Sequence, residues 1–388
     1  MNTLNVLGGA DIGGSCYLAE LEGVRILFDC GIRMNTPYSD HPEIPSPETI
    51  DLIFLSHAHL DHIGALAYTA AVCRNARIFA TSATRDFIRY QLSETIAEYI
   101  GADTDELRFS NHLLCQLVLN RIEIAEFQER LEIHLDSPES GQNADVKFSF
   151  FPAGHIPGAA AIYLRIGQRS LLYSGDFYLR STPLTAPCSL PEKLHPDILL
   201  LCGTYANRLQ TDKSAPTIAS VKDNFACLFR RNRNILVRCS QLTKGLEMLA
   251  MIDDLVREGR LPRTPVFIDE SLWQLARHYE RTSDFRLPSY MNPLSARKIR
   301  NGYGEIVFLS RSSTAKNKEF SSHTAVDTNF SLHADGQELI SYVRALRPKK
   351  VFVVHAAPRG AENAPLADAL LEDRICVTYT ENERIYSL

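Results

Sequence analysis

The sequence has no C-x-x-C pair. Its nine cysteines (Cys16, Cys30, Cys73, Cys115, Cys188, Cys202, Cys227, Cys239 and Cys376) are odd in number and scattered along the chain. That argues against a disulfide framework and against a cysteine zinc knuckle, and it fits a reducing cytoplasm. An unbroken apolar run of the ~18 residues that a transmembrane helix needs is also missing, so no membrane-spanning helix is expected. Residues Met1–Gly14 hold no basic segment followed by a long apolar stretch, so no secretory leader is expected there. Excess positive charge is absent too. Lysine and arginine number 41 against 46 acidic residues, a formal net charge of −5. Contacts to a nucleic acid must therefore come from local patches and not from a global basic field. No internal repeat and no biased linker interrupts the chain. What remains is an ordinary globular composition, 45% hydrophobic and 22% charged over 388 residues, with room for two or three domains.

The first half reads as short strands broken by glycine-rich turns. Leu4–Leu7, Cys16–Leu21 and Val24–Asp29 are β-branched or apolar runs, punctuated by Gly8-Gly9 and Gly13-Gly14. Ile50–Leu55 reads as a buried strand, followed by a helix over Ile63–Cys73 and a strand over Ala76–Ala80. The pattern is helical from Ala83 to Arg130. It returns to strands at Val146–Phe151, Ala161–Ile166, Ser170–Tyr173 and Ile198–Cys202. From about Tyr205 to Lys318, strand candidates Ile235–Cys239, Val266–Asp269 and Ile306–Leu309 alternate with helical segments, which predicts a small parallel α/β unit. A helix over Gly336–Leu346, a strand over Lys350–His355 and two short terminal strands finish the chain. If those last strands return to the first sheet, the middle segment is an insertion. The expected boundaries are residues 1–204 and 321–388 for the main domain and 205–320 for the insertion.

The chemistry is concentrated in Ser56-His57-Ala58-His59-Leu60-Asp61-His62, where four metal-competent side chains occupy six positions directly after a strand. Imidazole and carboxylate are the common zinc ligands besides thiolate. Burying so dense a polar cluster without an ion is costly. The alternation lets His57 and His59 face one ion while Asp61 and His62 face another, and paired metals about 3.5–4 Å apart recur in hydrolytic sites. Asp29, His155, Asp176 and His355 each follow a predicted strand, and His333 precedes a helix. Ligands grouped at strand ends are how a sheet protein gathers a site from distant sequence.

His57-x-His59-x-Asp61-His62, with Asp29 before it and His155 and Asp176 after it, resembles the metallo-β-lactamase fold. Phe330-Ser-Leu-His-Ala-Asp335 and Val353-Val-His-Ala356 resemble motifs B and C of its β-CASP nuclease branch, which includes RNase J and the pre-mRNA cleavage and polyadenylation endonuclease. The resemblance implies an αββα sandwich with an inserted parallel α/β domain. It implies two zinc ions or other divalent metals, one held by His57, His59 and His155, the other by Asp61, His62 and His355, with Asp176 bridging. Asp29 is implied to orient the ligand loop. A hydroxide between the metals is implied to attack phosphorus, and His333 to protonate the leaving oxygen. RNA is the implied substrate in preference to DNA, because DNA-cleaving relatives place valine where this chain has His355. The alternatives are hydrolysis of DNA or of a smaller ester, or a catalytically weak partner-binding subunit; a homo-oligomer or a protein partner is compatible with each.

The chain departs from the branch at motif A. An acidic residue is expected after the strand Ile198–Leu201, and Cys202 stands there in Cys-Gly-Thr-Tyr-Ala. Without that carboxylate, a slower or differently tuned acid step is expected at His333. Lys244, Arg311 and Ser312 are the candidate phosphate contacts, each with a plain solvated-loop or helix-start reading beside it.

Overall fold

The computed structural model describes residues 2–33, 41–99, 105–135, 143–209, 216–239, 241–298 and 304–388, the last range without 311, 312, 314, 316 and 357–363. They form two compact units. One comprises residues 1–180, 186–213 and 332–388, the other residues 181–185 and 214–331.

The first unit is a two-sheet sandwich. One sheet runs in the order Arg384–Ser387, Thr3–Gly8, Cys16–Leu21, Val24–Phe28, Leu52–Phe54, Arg77–Ala80, Ile122–Ile124. The other runs Cys376–Tyr379, Lys350–Val354, Ile198–Cys202, Arg169–Tyr173, Ala160–Ile166, Ala144–Pro152, Leu131–Leu135. Alternate residues of the two sheets meet in one core. Phe28, Phe54 and Phe79 from the first face Phe148, Tyr173, Leu200 and Val354 from the second. The rings of Phe54 and Phe148 lie 5.0 Å apart, and those of Phe28 and Tyr173 5.2 Å. The residues between them, such as Leu27, Ile53, Leu199 and Val353, are equally buried on the opposite faces. This is why these strands read as continuous apolar runs and not as alternating ones. Each fully buried large side chain contributes roughly 1.5–3 kcal/mol relative to exposure.

Strand direction decides where the site lies. Val24–Phe28 pairs in parallel with Leu52–Phe54, and Ile198–Cys202 in parallel with Arg169–Tyr173 and Lys350–Val354. The loops that leave the carboxyl ends of these five strands carry Asp29, Ser56–His62, Asp176, Thr204 and His355. Open α/β sheets bind ligands at that end.

Three local readings change. The helix expected over Ile63–Cys73 is two pieces, Leu60–Ile63 and Leu66–Val72, broken at Gly64 and Ala65. The long helical stretch after Ala83 ends in the strand Ile122–Ile124, which completes the first sheet beside Arg77–Ala80. The two terminal strands separate: Arg384–Ser387 joins the first sheet beside Thr3–Gly8, whereas Cys376–Tyr379 joins the second beside Lys350–Val354.

The second unit is a parallel five-stranded sheet in the order Met291–Pro293, Val266–Ile268, Glu305–Ser310, Asn234–Cys239, Thr324–Asp327. The helices Ile218–Arg231, Leu242–Arg257 and Glu270–Thr282 belong to it. Asp269 ends one strand and starts a helix by accepting the Leu272 amide, the ordinary N-cap arrangement. Among the described residues, no helix is long and apolar enough to cross a membrane.

Candidate metal centre

The loops at the strand ends are locked to one another before any side chain is considered. The Asp29 amide bonds to the Phe54 carbonyl, the Cys30 amide to His62, the Ser15 amide to Asp61 and the His355 amide to Gly9. Gly31 is required in this packing, since a Cβ there would meet the Asp61 carbonyl oxygen at 1.8 Å. Asp29 and His355 both sit at positive φ, 56° and 50°. That conformation costs a non-glycine residue about 1–3 kcal/mol and persists only where its surroundings hold it.

These loops bring the sequence candidates into two groups, His57, His59, His155 and Asp176, and Asp61, His62 and His355; each residue offers one donor atom, and the atoms within a group lie within 4.8 Å of one another. Within the first, the His59 Nδ1 lies 3.1 Å from both the His57 Nε2 and the His155 Nε2. Ligand nitrogens around a tetrahedral zinc at 2.0–2.1 Å sit about 3.3 Å apart. Asp176 lies between the groups. Its Oδ2 is 3.5 Å from His62 Nε2, 3.8 Å from His57 Nε2 and His155 Nε2, and 3.9 Å from His355 Nε2. In the second group, Asp61 Oδ2 faces His355 Nε2 at 3.8 Å.

The far nitrogen of four of the five histidines in these groups is held from behind. His57 Nδ1 meets the Ser56 hydroxyl at 3.0 Å, His62 Nδ1 the Asp29 carboxylate at 2.7 Å, His155 Nδ1 the Leu332 carbonyl at 2.8 Å and His355 Nδ1 the Ser15 hydroxyl at 2.9 Å. The Asp29 carboxylate and the Leu332 carbonyl can only accept, and the Ser56 hydroxyl spends its proton on Asp29, so His62, His155 and His57 carry the proton on Nδ1 and aim the Nε2 lone pair inward, the arrangement a metal-binding imidazole needs. Asp29 therefore stands behind His62, a partner that the sequence reading did not specify. Ser15 and Ser56 were not singled out from sequence, although each lies next to a candidate or in the glycine-rich opening.

The electrostatics match a cation pocket. Burial, followed by the neighbouring imidazoles, pushes His57 well below the usual histidine range; burial and His155 do the same to His59. Neutral imidazole is the ligand form. Burial opposes a charge on Asp176, yet His355, His62 and His333 outweigh it and hold the carboxyl well below its usual range. His62 behaves oppositely: burial would lower it, but Asp176 and Asp29 raise it above the usual range. His62 Nε2 and Asp176 Oδ1 are both buried without a hydrogen-bond partner. Orphaned polar atoms of this kind are rare unless something else satisfies them, and a divalent cation between them fits the donor set.

His333 sits at the edge of this cluster, its ring 4.6 Å from that of His155 and its Nδ1 3.6 Å from Asp176 Oδ2. Asp335, two residues on, is occupied otherwise: it caps the helix Gly336–Leu346 in a capping box with Glu338. Cys202 is buried in the inter-sheet core, its thiol 3.7 Å from the Tyr173 hydroxyl. Lys244 belongs to the second unit, with its ammonium 5.8 Å from the centre of the Phe330 ring. Arg311 and Ser312 lie outside the described residues.

Residues 9–217 match the profile of the metallo-beta-lactamase superfamily, and residues 320–365 match the Zn-dependent metallo-hydrolase RNA specificity domain. An RNase J-like protein of Methanocaldococcus jannaschii is 25% identical over 348 residues, covering 88% of this chain and 74% of that protein. The transcription termination factor FttA of Methanothermobacter thermautotrophicus is 26% identical over 284 residues, 70% of this chain and 42% of the relative. The cleavage and polyadenylation specificity factor 73 of Drosophila melanogaster is 26% identical over 273 residues, 68% of this chain and 37% of the relative. The chain thus spans about three quarters of the first and less than half of the other two. A crystal structure of a protein from Enterococcus faecalis aligns over the full length of both chains with a TM-score of 0.65 at 14% identity, a likeness of fold. With its strand-end histidines and carboxylates gathered between two sheets and more than half of its length matched, this chain belongs to the metallo-beta-lactamase superfamily.

Proposed function

We propose that this protein is a metal-dependent hydrolase that cleaves phosphodiester bonds in RNA. The observation that carries the reading is the pair of donor groups meeting at Asp176. The match of residues 320–365 to an RNA specificity domain, and relatives named as ribonucleases and RNA-processing factors, point the substrate toward RNA. On this reading the second unit is the β-CASP-like insertion, and Lys244, Arg311 and Ser312 are its candidate phosphate contacts.

His57, His59 and His155 would hold one divalent cation and Asp61, His62 and His355 a second, with the Asp176 carboxylate within reach of both groups. Bound divalent cations supply charge neutralisation at a phosphoryl oxygen and a nucleophilic water at neutral pH. The residues of the chain do the rest. Asp29 and the Ser56 hydroxyl fix His62 and His57 in the ligand tautomer, and the Ser15 hydroxyl orients His355. His333, only half-buried at the edge of the cluster, gives its proton to the departing oxygen, and such help contributes typically about 10²–10⁴-fold. All nine cysteines are free thiols, the state that a reducing compartment such as the cytoplasm maintains.

The test is incubation with end-labelled single-stranded RNA and DNA of one sequence, with and without chelator. Cleavage of RNA that the chelator abolishes supports the proposal, and product lengths report the cutting mode. Metal retention without cleavage of either polymer favours a smaller ester or a catalytically weak partner-binding subunit.

A further inference from the structure

Asp29 is wholly buried, and four donors of the described residues meet its carboxylate. Its Oδ1 accepts the Ser56 amide at 2.7 Å. Its Oδ2 receives three groups: the Ser56 hydroxyl at 2.7 Å, His62 Nδ1 at 2.7 Å and the Tyr173 hydroxyl at 2.6 Å. The first two come from the loop that carries the ligand cluster. Tyr173 comes from the end of Arg169–Tyr173 in the opposite sheet. It is therefore the only one of these donors that braces the Asp29 carboxylate from across the sandwich.

We propose that Tyr173 is a positioning residue for His62, acting through Asp29, and that Cys202 in turn holds the Tyr173 hydroxyl. The inference rests on the reading of His62 as a metal ligand. The phenol spends its single proton on Asp29, so its oxygen is left as an acceptor toward the Cys202 thiol at 3.7 Å, a weak donor well suited to a dry core. Burial, with Asp29 and Cys202 beside it, raises Tyr173 far above the usual phenol range, and burial with Asp176 does the same to Cys202. Both groups thus keep their protons, and the chain Cys202 to Tyr173 to Asp29 has one direction. His62 donates into the same carboxylate, and its Nε2 faces the site. The residue standing where the branch has a motif A carboxylate is thereby connected to the metal centre from behind, beneath Asp29.

Tyr173→Phe removes the hydroxyl and keeps the ring that packs on Phe28 and Tyr17. Zn²⁺ is titrated into the metal-free full chain against a chromophoric chelator, and Co²⁺ is bound in parallel to read the ligand field of the second group. Loss of an outer partner typically weakens metal binding about 10–100-fold, so Tyr173→Phe is expected to do so and to shift the Co²⁺ absorption bands. Cys202→Ser, which keeps a donor, is expected to bind within about threefold of wild type, and Cys202→Ala to fall between the two. Wild-type affinity and an unchanged Co²⁺ spectrum in Tyr173→Phe overturn the inference, even if the metal-free variant melts earlier, because that outcome marks a packing role alone. If Tyr173→Phe does not fold, Cys202→Ala decides: affinity equal to wild type overturns the inference. A wild-type chain that binds no Zn²⁺ fails at the metal reading itself, a result distinct from the others, and takes this inference with it.

Discussion

The hydroxyl of Thr204 lies 3.3 Å from Nδ1 of His333. Thr204 stands two residues beyond Cys202, in the stretch where the β-CASP pattern leads one to expect an acidic partner for that histidine. The Cys202 thiol itself meets Tyr173. From this stretch a neutral hydroxyl, two residues further on, thus lies against His333. Thr204→Val keeps the shape and deletes the hydroxyl. It is expected to lower kcat roughly tenfold, the worth of one hydrogen bond to a group that bears charge, while KM stays near wild type. Steady-state kinetics on a labelled RNA oligonucleotide measure the split. An equal rise in KM with unchanged kcat speaks for substrate binding instead.

Asp61 and His62 belong to the same donor group as His355. Replacing both with alanine is expected to lower hydrolysis by about 10³-fold or more, since a bound cation supplies several kcal/mol at the transition state. The zinc content per chain falls, while the far-UV circular dichroism stays that of the wild type. Unchanged turnover would count against the metal mechanism as a whole.

Cys202→Glu is the substitution that the sequence pattern alone recommends, because it places a carboxylate where the β-CASP resemblance leads one to expect it. The surroundings of the thiol argue the other way. A glutamate side chain there enters the inter-sheet core near Tyr173, Asp29 and Asp176. An unpaired buried charge costs several kcal/mol. The variant is expected to unfold at lower denaturant than wild type and to lose activity. A gain in activity would show that the carboxylate reaches His333.

Glu247 lies buried in the helix Leu242–Arg257 and accepts the Leu184 amide at 3.4 Å. Burial pushes its pKa from the usual 4.5 up to about 7, against the pull of the Thr182 hydroxyl and the Leu184 amide. Between those two values the folded chain binds a proton that the unfolded chain has released, so stability falls as pH rises through this window. Each pH unit corresponds to ~1.4 kcal/mol, which makes the loss about 3 kcal/mol by pH 8. Glu247→Gln removes this dependence. Urea unfolding of the second unit at pH 5 and pH 8 is expected to show a larger difference for wild type than for the variant. Equal slopes in both chains would refute the assignment.

Much of the fold was readable because burial on both faces leaves a plain trace. Ile198–Cys202 and Lys350–Val354 are unbroken apolar runs that form central strands, and Gly336–Leu346 begins after a capping aspartate and is a helix over the whole expected span. Short edge elements left less trace. Met291–Pro293 and Thr324–Asp327 have three or four residues each and half-buried, mixed side chains, and they did not stand out. The destination of the last two strands was equally hidden, because an apolar run does not record which neighbour it will pair with.

By itself, the sequence marked the candidate donors. His57, His59, Asp61 and His62 sit so close together in the chain that their chemistry hardly depends on the rest of the fold, and His155, Asp176 and His355 are marked by the strands that precede them. The tertiary structure alone decided what stands behind those donors. Ser15 lies 340 positions from His355, and Tyr173 lies 144 from Asp29. Serine and tyrosine carry no signature of their own, and a hydrogen bond between distant segments exists only once two sheets have closed on a shared core and excluded the water that would otherwise take its place.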